Sequence, residues 1–182
     1  MSDINISKNY PTQSEIDNAF DKNNFKKIHD KAFVYNHFLN DNFCDELVEK
    51  MLSGQYKIPH NNGLRSYDPL VDEKVKNMIT EISSPSIASA GFTFIQIEED
   101  SWLGDHRDGD YKIPGGWHLW GGVLYLTDFE GGDVVYPDQD IRFHGKKGDL
   151  LLHTGDTPHY VDYVKSKDRY IITFYLWKED KE

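Results

Sequence analysis

Apolar and polar residues follow two different rhythms along this chain, and the change of rhythm divides it. Phe43, Cys44, Leu47, Val48, Met51 and Leu52 recur at helical spacing and stop at Gly54, which predicts a helix capped by Asn40 or Asp41 with an apolar face that covers a sheet. A loop containing Pro59, Asn61, Asn62, Gly63 and Pro69 follows, and a second helix is expected over roughly Val71 to Ile82, ended by Ser83-Ser84-Pro85. Beyond that point the apolar runs become short and rich in β-branched and aromatic residues: Phe92 to Ile97, Gly122 to Thr127, Asp133 to Tyr136, Leu150 to Leu152 and Tyr170 to Leu176. Gly131-Gly132, Gly145 to Asp149 and Gly155-Asp156-Thr157-Pro158 punctuate them. Short strands divided by Gly-rich turns and preceded by two helices describe a mostly β fold, a sandwich or barrel with helical buttresses.

Composition narrows the picture. A chain of 182 residues buries one sizeable core, so residues 31–182 are expected to form a single domain. Residues 1 to about 30 are polar, with isolated aromatics Phe20 and Phe25, and are expected to form an arm that packs lightly or not at all. With 20 Lys+Arg against 31 Asp+Glu, the net charge of −11 repels phosphate backbones and excludes nucleic acid as a partner. The single cysteine, Cys44, rules out an internal disulfide framework and suits a reducing compartment. The first residues lack a leader's basic and apolar regions, and no run of about 18 apolar residues exists. The expectation is a cytoplasmic protein without a membrane partner.

Chemistry is concentrated in the second half. His106-Arg107-Asp108 places an imidazole and a carboxylate two residues apart, so on an extended segment both point to one side. Alone, such a polar stretch also reads as a solvated turn. A second imidazole, His159, follows a strand and a Gly-rich turn, where a jelly roll returns it beside the first pair. Together the three make the pattern of a 2-His-1-carboxylate iron site. Arg169 heads a very apolar strand, where a guanidinium either snorkels outward or clamps a carboxylate bidentately. His153 is an alternative distal ligand, although strand histidines are more often packed than metal-bound. His118 and His144 read as surface residues, and His60 has no evident partner.

In the ordered series His106-x-Asp108, Leu124-Tyr125-Leu126-Thr127-Asp128, Glu130-Gly131-Gly132-Asp133, Lys147-Gly148-Asp149-Leu150-Leu151, Pro158-His159-Tyr160-Val161 and Arg169-Tyr170-Ile171-Ile172-Thr173, the chain resembles the Fe(II)- and 2-oxoglutarate-dependent dioxygenases, most closely the prolyl 4-hydroxylase-like branch. The resemblance covers about residues 35 to 178. It implies a double-stranded β-helix, or jelly roll, in which His106, Asp108 and His159 ligate the metal and act in catalysis, with O2 as the other co-substrate. It also implies that Arg169 and Tyr125 bind the distal carboxylate of 2-oxoglutarate. Thr173, four residues beyond Arg169, shares its strand face and supplies a further hydroxyl. Related halogenases carry a small residue where this chain has Asp108, so the resemblance implies hydroxylation.

The chain departs from the pattern where many relatives have a tyrosine about nine residues before the first metal histidine; Ile97 or Glu98 stands there. Trp102, Trp117 and Trp120, set among glycines, read as core or rim packing, or as an aromatic lid or floor over the substrate. Arg65 resembles a family position near the substrate mouth. The leading expectation is an oxygenase acting on a prolyl residue in a peptide or protein. A free amino acid or other small molecule is the alternative substrate, and a non-catalytic jelly-roll module holding an ion is the alternative from another class. Nucleic-acid demethylation expects a second arginine where this chain has Tyr175.

Overall fold

Local signals place the helices. In a computed structural model, which describes residues 11–53, 57–60, 63–66, 69–109, 112–113, 116–165 and 169–179, with the side chains of residues 57–72, 112 and 113 outside that description, the first helix is α1 (Gln13–Asp17), closed by a capping box between Thr12 and Glu15. The second, α2 (Asp41–Ser53), is capped by Asn40, whose Oδ1 accepts from the Phe43 N–H at 2.9 Å. Its Phe43, Cys44, Leu47 and Met51 are buried, at the helical spacing that defined it. The third, α3 (Pro69–Ile82), starts two residues before the expected Val71, because a proline at the first helical position has its φ already set.

The rest is sheet. In chain order the strands are β1 (Lys26–His29), β2 (Ala32–Tyr35), β3 (Lys57–His60), β4 (Gly63–Ser66), β5 (Ala88–Ile97), β6 (Leu103–His106), β7 (Lys112–Ile113), β8 (Gly116–Tyr125), β9 (Val134–Tyr136), β10 (Ile141–Phe143), β11 (Leu150–Thr154), β12 (His159–Val161) and β13 (Arg169–Glu179). The larger sheet runs β1-β2-β11-β8-β13-β5-β4-β3, with β7 paired to β8, and the smaller runs β10-β9-β12-β6. Among the described residues every strand pairing is antiparallel. The loop expected around Pro59 and Gly63 is the β3–β4 hairpin, with His60 opposite Gly63 across a two-residue connection.

Strand alternation gives the larger sheet two cores. Leu150 and Leu152 of β11, Leu124 of β8, and Ile172, Phe174 and Leu176 of β13 face the helices and pack with Leu47, Met51, Val75 and Ile79. Between them in sequence, Leu151, Tyr125 and Ile171 face the smaller sheet and pack with Val134, Tyr136 and Val161. This is the mostly β jelly roll, buttressed by helices, that the sequence predicts. Among the described residues no helix is long and apolar enough to cross a membrane.

Two expectations need correction. The N-terminal arm is folded from Thr12 onward: Ala19 and Phe20 are buried, Phe20 meets the Trp120 ring edge-on at 4.9 Å, and β1 joins the larger sheet. A few anchors are enough to hold a polar segment when they seat in an aromatic cluster. The glycine- and tryptophan-rich segment is the central strand β8, so Trp120 and Trp117 face the helical core and neither forms a floor over the substrate. Its glycines mark close approaches: a Cβ on Gly122 would sit 2.3 Å from the Phe174 ring.

Trp120 also fixes the N-terminal segment, donating its indole N–H to the Ile16 carbonyl at 2.9 Å. Trp120→Ala is therefore expected to cost about 3–5 kcal/mol of stability, read as a lower urea midpoint. An unchanged midpoint would show that the ring is not a core anchor.

Candidate metal centre

His106 ends β6 and His159 begins β12, and the two are cross-strand partners in the smaller sheet. Their ring centroids lie 4.3 Å apart. Asp108 follows two residues later, and its Oδ1 is 3.7 Å from His106 Nε2 and 4.0 Å from His159 Nε2. Those separations are too long for hydrogen bonds, but ligand atoms about 2.1 Å from a shared ion lie roughly 3–4 Å apart. The three ligand atoms fall within 4.8 Å of one another, the one such group among the described residues.

Backbone carbonyls prepare both imidazoles. His106 Nδ1 lies 2.8 Å from the Gly104 carbonyl and His159 Nδ1 lies 2.9 Å from that of Thr157. A carbonyl only accepts, so each Nδ1 carries the hydrogen and each Nε2 keeps its lone pair for a metal. Burial pushes His159 down to about 3, with neighbouring His153 adding to the effect, so its ring is neutral near pH 7. Burial alone would raise the Asp108 carboxyl; the hydrogen bond from His153 and the nearby imidazoles outweigh it and hold the group at about 2.

The other end of the site is Arg169, at the head of β13 and 1% exposed. Its guanidinium carbon lies 5.2 Å from the Phe129 ring centroid and 6.0 Å from that of Tyr125. The Nε and Nη1 of Arg169 and the Oη of Tyr125 are buried without a hydrogen-bond partner. Burial lowers the Arg169 pKa and raises the Tyr125 phenol to about 12. Unused donors of this kind, on a buried cation, cost several kcal/mol unless an anion completes them. Glycine makes room for the phenol: a Cβ on Gly145 would lie 2.4 Å from the Tyr125 ring.

One cavity of about 460 Å³ joins the two ends, bordered by His106, Asp108 and His159 and by Arg169. Thr173 lines its wall on the same strand face as Arg169. Ile97, cross-strand partner of Arg169, also lines it. Trp102 borders the cavity at the rim and is 52% exposed. The backbone of Arg65 pairs with cavity-lining Ile95, while its side chain lies outside the described residues, as does that of His60. His118 is half-buried and stacks on Tyr175 at 4.6 Å, unlike the surface residue expected. His144 is exposed and bonds Asp133 at 2.7 Å.

His153 lies outside the group formed by His106, Asp108 and His159. Its Nε2 contacts Asp108 Oδ2 at 2.9 Å and its Nδ1 contacts Tyr136 Oη at 3.2 Å. Sequence reasoning assigned neither His153 nor Tyr136 this role. The available signal was an imidazole in the all-buried strand Leu150–Thr154, where a polar group requires a partner.

Acid should weaken the metal-free fold. His159 falls from an ordinary 6.5 to about 3 and Asp108 from 3.8 to about 2, so the unfolded chain binds more protons than the folded one at these sites. Their contribution is complete above pH 6.5 and is lost as pH falls, through the His159 window first and then that of Asp108. Urea midpoints should drop between pH 7 and pH 4 by the equivalent of a few kcal/mol, and less steeply in His159→Gln. A flat profile over that range would contradict the buried neutral imidazole.

No protein-family model and no curated protein matches the sequence. Solved structures are similar in fold. The viral collagen prolyl hydroxylase vCPH from Paramecium Bursaria Chlorella virus-1, as its 2OG complex, is 18% identical, with a TM-score of 0.66 over 81% of this chain and 96% of its own. HygX from Streptomyces hygroscopicus, with nickel and 2-oxoglutarate bound, is 9% identical, with a TM-score of 0.63 over 93% and 87%. The prolyl hydroxylase from Trichoplax adhaerens, in complex with a hypoxia inducible factor oxygen degradation domain peptide fragment, is 15% identical, with a TM-score of 0.60 over 81% and 84%. At these identities the likeness is one of architecture: the chain has the jelly-roll fold of the 2-oxoglutarate-dependent Fe(II) oxygenases.

Proposed function

We propose that this chain is an Fe(II)- and 2-oxoglutarate-dependent oxygenase that hydroxylates an unactivated C–H bond, that of a prolyl residue in a peptide or protein. One observation carries the reading: a fully buried guanidinium with unused donors shares a cavity with a 2-His-1-carboxylate triad. His106 Nε2, Asp108 Oδ1 and His159 Nε2 would hold the iron. Arg169 and Tyr125 would receive the distal carboxylate of 2-oxoglutarate. Three protein ligands would leave room on the ion for a bidentate 2-oxo acid and O2. When bound, the metal and co-substrate couple oxidative decarboxylation of the 2-oxo acid to oxygenation of a C–H bond.

The chain's own part is to bind, orient and exclude water. Ile95, Ile97, Val123 and Ile171 give the cavity apolar walls, which strengthen the Arg169–carboxylate attraction. A carboxylate at position 108 favours hydroxylation over halogenation. A structural ion site would close with a fourth ligand, often a thiolate, yet Cys44 lies in the helical core on the other face of the larger sheet. The exposed ring of Trp102 at the rim, with the exposed ring of Tyr163 6.3 Å from it, suits the flat face of a proline-containing extended segment. The prolyl hydroxylases of similar fold support that substrate class. A single buried thiol suits the cytoplasm.

Anaerobic titration with Fe(II) and 2-oxoglutarate should develop the weak visible charge-transfer band of a chelated 2-oxo acid, and the absence of any band removes the reading. Removing one partner of a buried charge pair costs about 2–5 kcal/mol, so Arg169→Ala should raise the 2-oxoglutarate requirement about 30-fold or more. An unchanged requirement sinks that assignment.

His106→Ala, Asp108→Ala and His159→Ala should each abolish succinate formation with folding largely retained; full activity in any one would remove that ligand. Proline-rich peptides should gain the mass of one oxygen. Hydroxylation of free proline with every peptide ignored would replace the peptide reading with a small-molecule one.

A further inference from the structure

We infer that His153 is a positioning residue that ties down one oxygen of Asp108, so that the carboxylate presents only its other oxygen to a metal ion. The inference rests on the reading of His106, Asp108 and His159 as the metal site. The two carboxylate oxygens have separate surroundings. Oδ1 faces His106 Nε2 and His159 Nε2 at 3.7 and 4.0 Å without a hydrogen bond to either, whereas Oδ2 is bonded by His153 Nε2 at 2.9 Å. A carboxylate only accepts, so His153 must carry hydrogen on Nε2. His106 and His159 carry it on Nδ1 instead, bound to carbonyls. The site therefore holds two imidazoles presenting lone pairs and one presenting a donor.

Both neighbours of His153 reinforce this division. Tyr136, fully buried on β9 of the opposite sheet, places its Oη 3.2 Å from His153 Nδ1. With Nε2 protonated, a neutral ring accepts the Tyr136 hydroxyl hydrogen at Nδ1, so phenol, imidazole and carboxylate form one directed chain. Gly121 is the cross-strand partner of His153 on β8. A Cβ there would lie 2.1 Å from Asp108 Oδ2 and 3.0 Å from His153 Nε2, so the contact exists because position 121 has no side chain. Asp108 bound through one oxygen would take less of the ion's coordination sphere than a two-oxygen grip and would leave more of it to co-substrate and O2.

The test uses the full chain and Co(II) as the probe. Nitrogen-resolved NMR of the metal-free protein should show His153 protonated at Nε2 and His106 and His159 at Nδ1. His153→Leu should weaken Co(II) binding about 10- to 100-fold and alter the Co(II) visible spectrum. In His153→Gln, the side-chain amide replaces the Nε2 donor and should restore both to within a few-fold of the starting protein. Gly121→Ala should reproduce the loss.

Unchanged Co(II) affinity and spectrum in a folded His153→Leu would overturn the inference while leaving the metal reading intact. A spectrum showing His153 as a metal-bound nitrogen would also overturn it. Failure of the unsubstituted protein to bind Co(II) would remove the metal reading and this inference together. If His153→Leu does not fold, the NMR assignment decides: a His153 Nε2 without hydrogen rules the arrangement out.

Discussion

A strand covered on both faces has no solvent side on which to leave a polar group, and this constraint shapes the whole site. β8, β11 and β13 lie between the helices and the smaller sheet, so alternation sends every second residue into one of two dry layers. On the helical side Leu124, Leu150, Leu152, Ile172, Phe174 and Leu176 form an apolar layer. On the other side the same strands carry Tyr125, His153 and Arg169, each buried. Such groups must be satisfied by one another or by something that enters. His153 finds Asp108 and Tyr136; Tyr125 and Arg169 keep open hydrogen-bonding positions. The distribution of satisfied and unsatisfied groups thus separates built-in support from binding surface.

The same distribution couples the site to the stability of the fold. An uncompensated buried guanidinium weakens the folded state, and an anion that reaches it only in that state returns the difference through mass action. The cavity carries the Asp108 carboxylate at one end and the Arg169 guanidinium at the other, so an asymmetric acid entering it would meet opposite charges at its two ends. The overall −11 charge does not reach this contact strongly, since salt screens distant surface charges far more than buried ones.

Much of this was legible because it rests on short-range rules. Helical periodicity found α2 and α3, β-branched runs found the cores of β5, β8, β9, β11 and β13, and spacing with motif order singled out His106, Asp108 and His159, which the fold groups together, and Arg169, which borders the same cavity. What escaped depended on long-range pairing. β1, β2, β6, β10 and β12 are short, and several carry polar residues that only a neighbouring strand stabilises. For Trp117 and Trp120 the core reading holds; the lid or floor alternative arose because glycine in sequence reads as loop, whereas Gly121 and Gly122 are spaces already filled by Asp108 and Phe174. His153 was weighed as a ligand because sequence carries no information about which carboxylate oxygen an imidazole meets.

Cys44 shows how the helical core treats reactive chemistry. Its side chain is fully buried beneath α2, its Sγ lies 4.0 Å from the Tyr125 carbonyl, and burial pushes the thiol up to about 11. Reactivity belongs to the thiolate and needs access, so near neutral pH this sulfur is both protonated and screened from reagents. The folded chain is therefore silent toward thiol-directed dyes and spin labels. A cysteine introduced at an exposed rim position such as Trp102 would report on the cavity mouth against that quiet background, with the natural cysteine left in place.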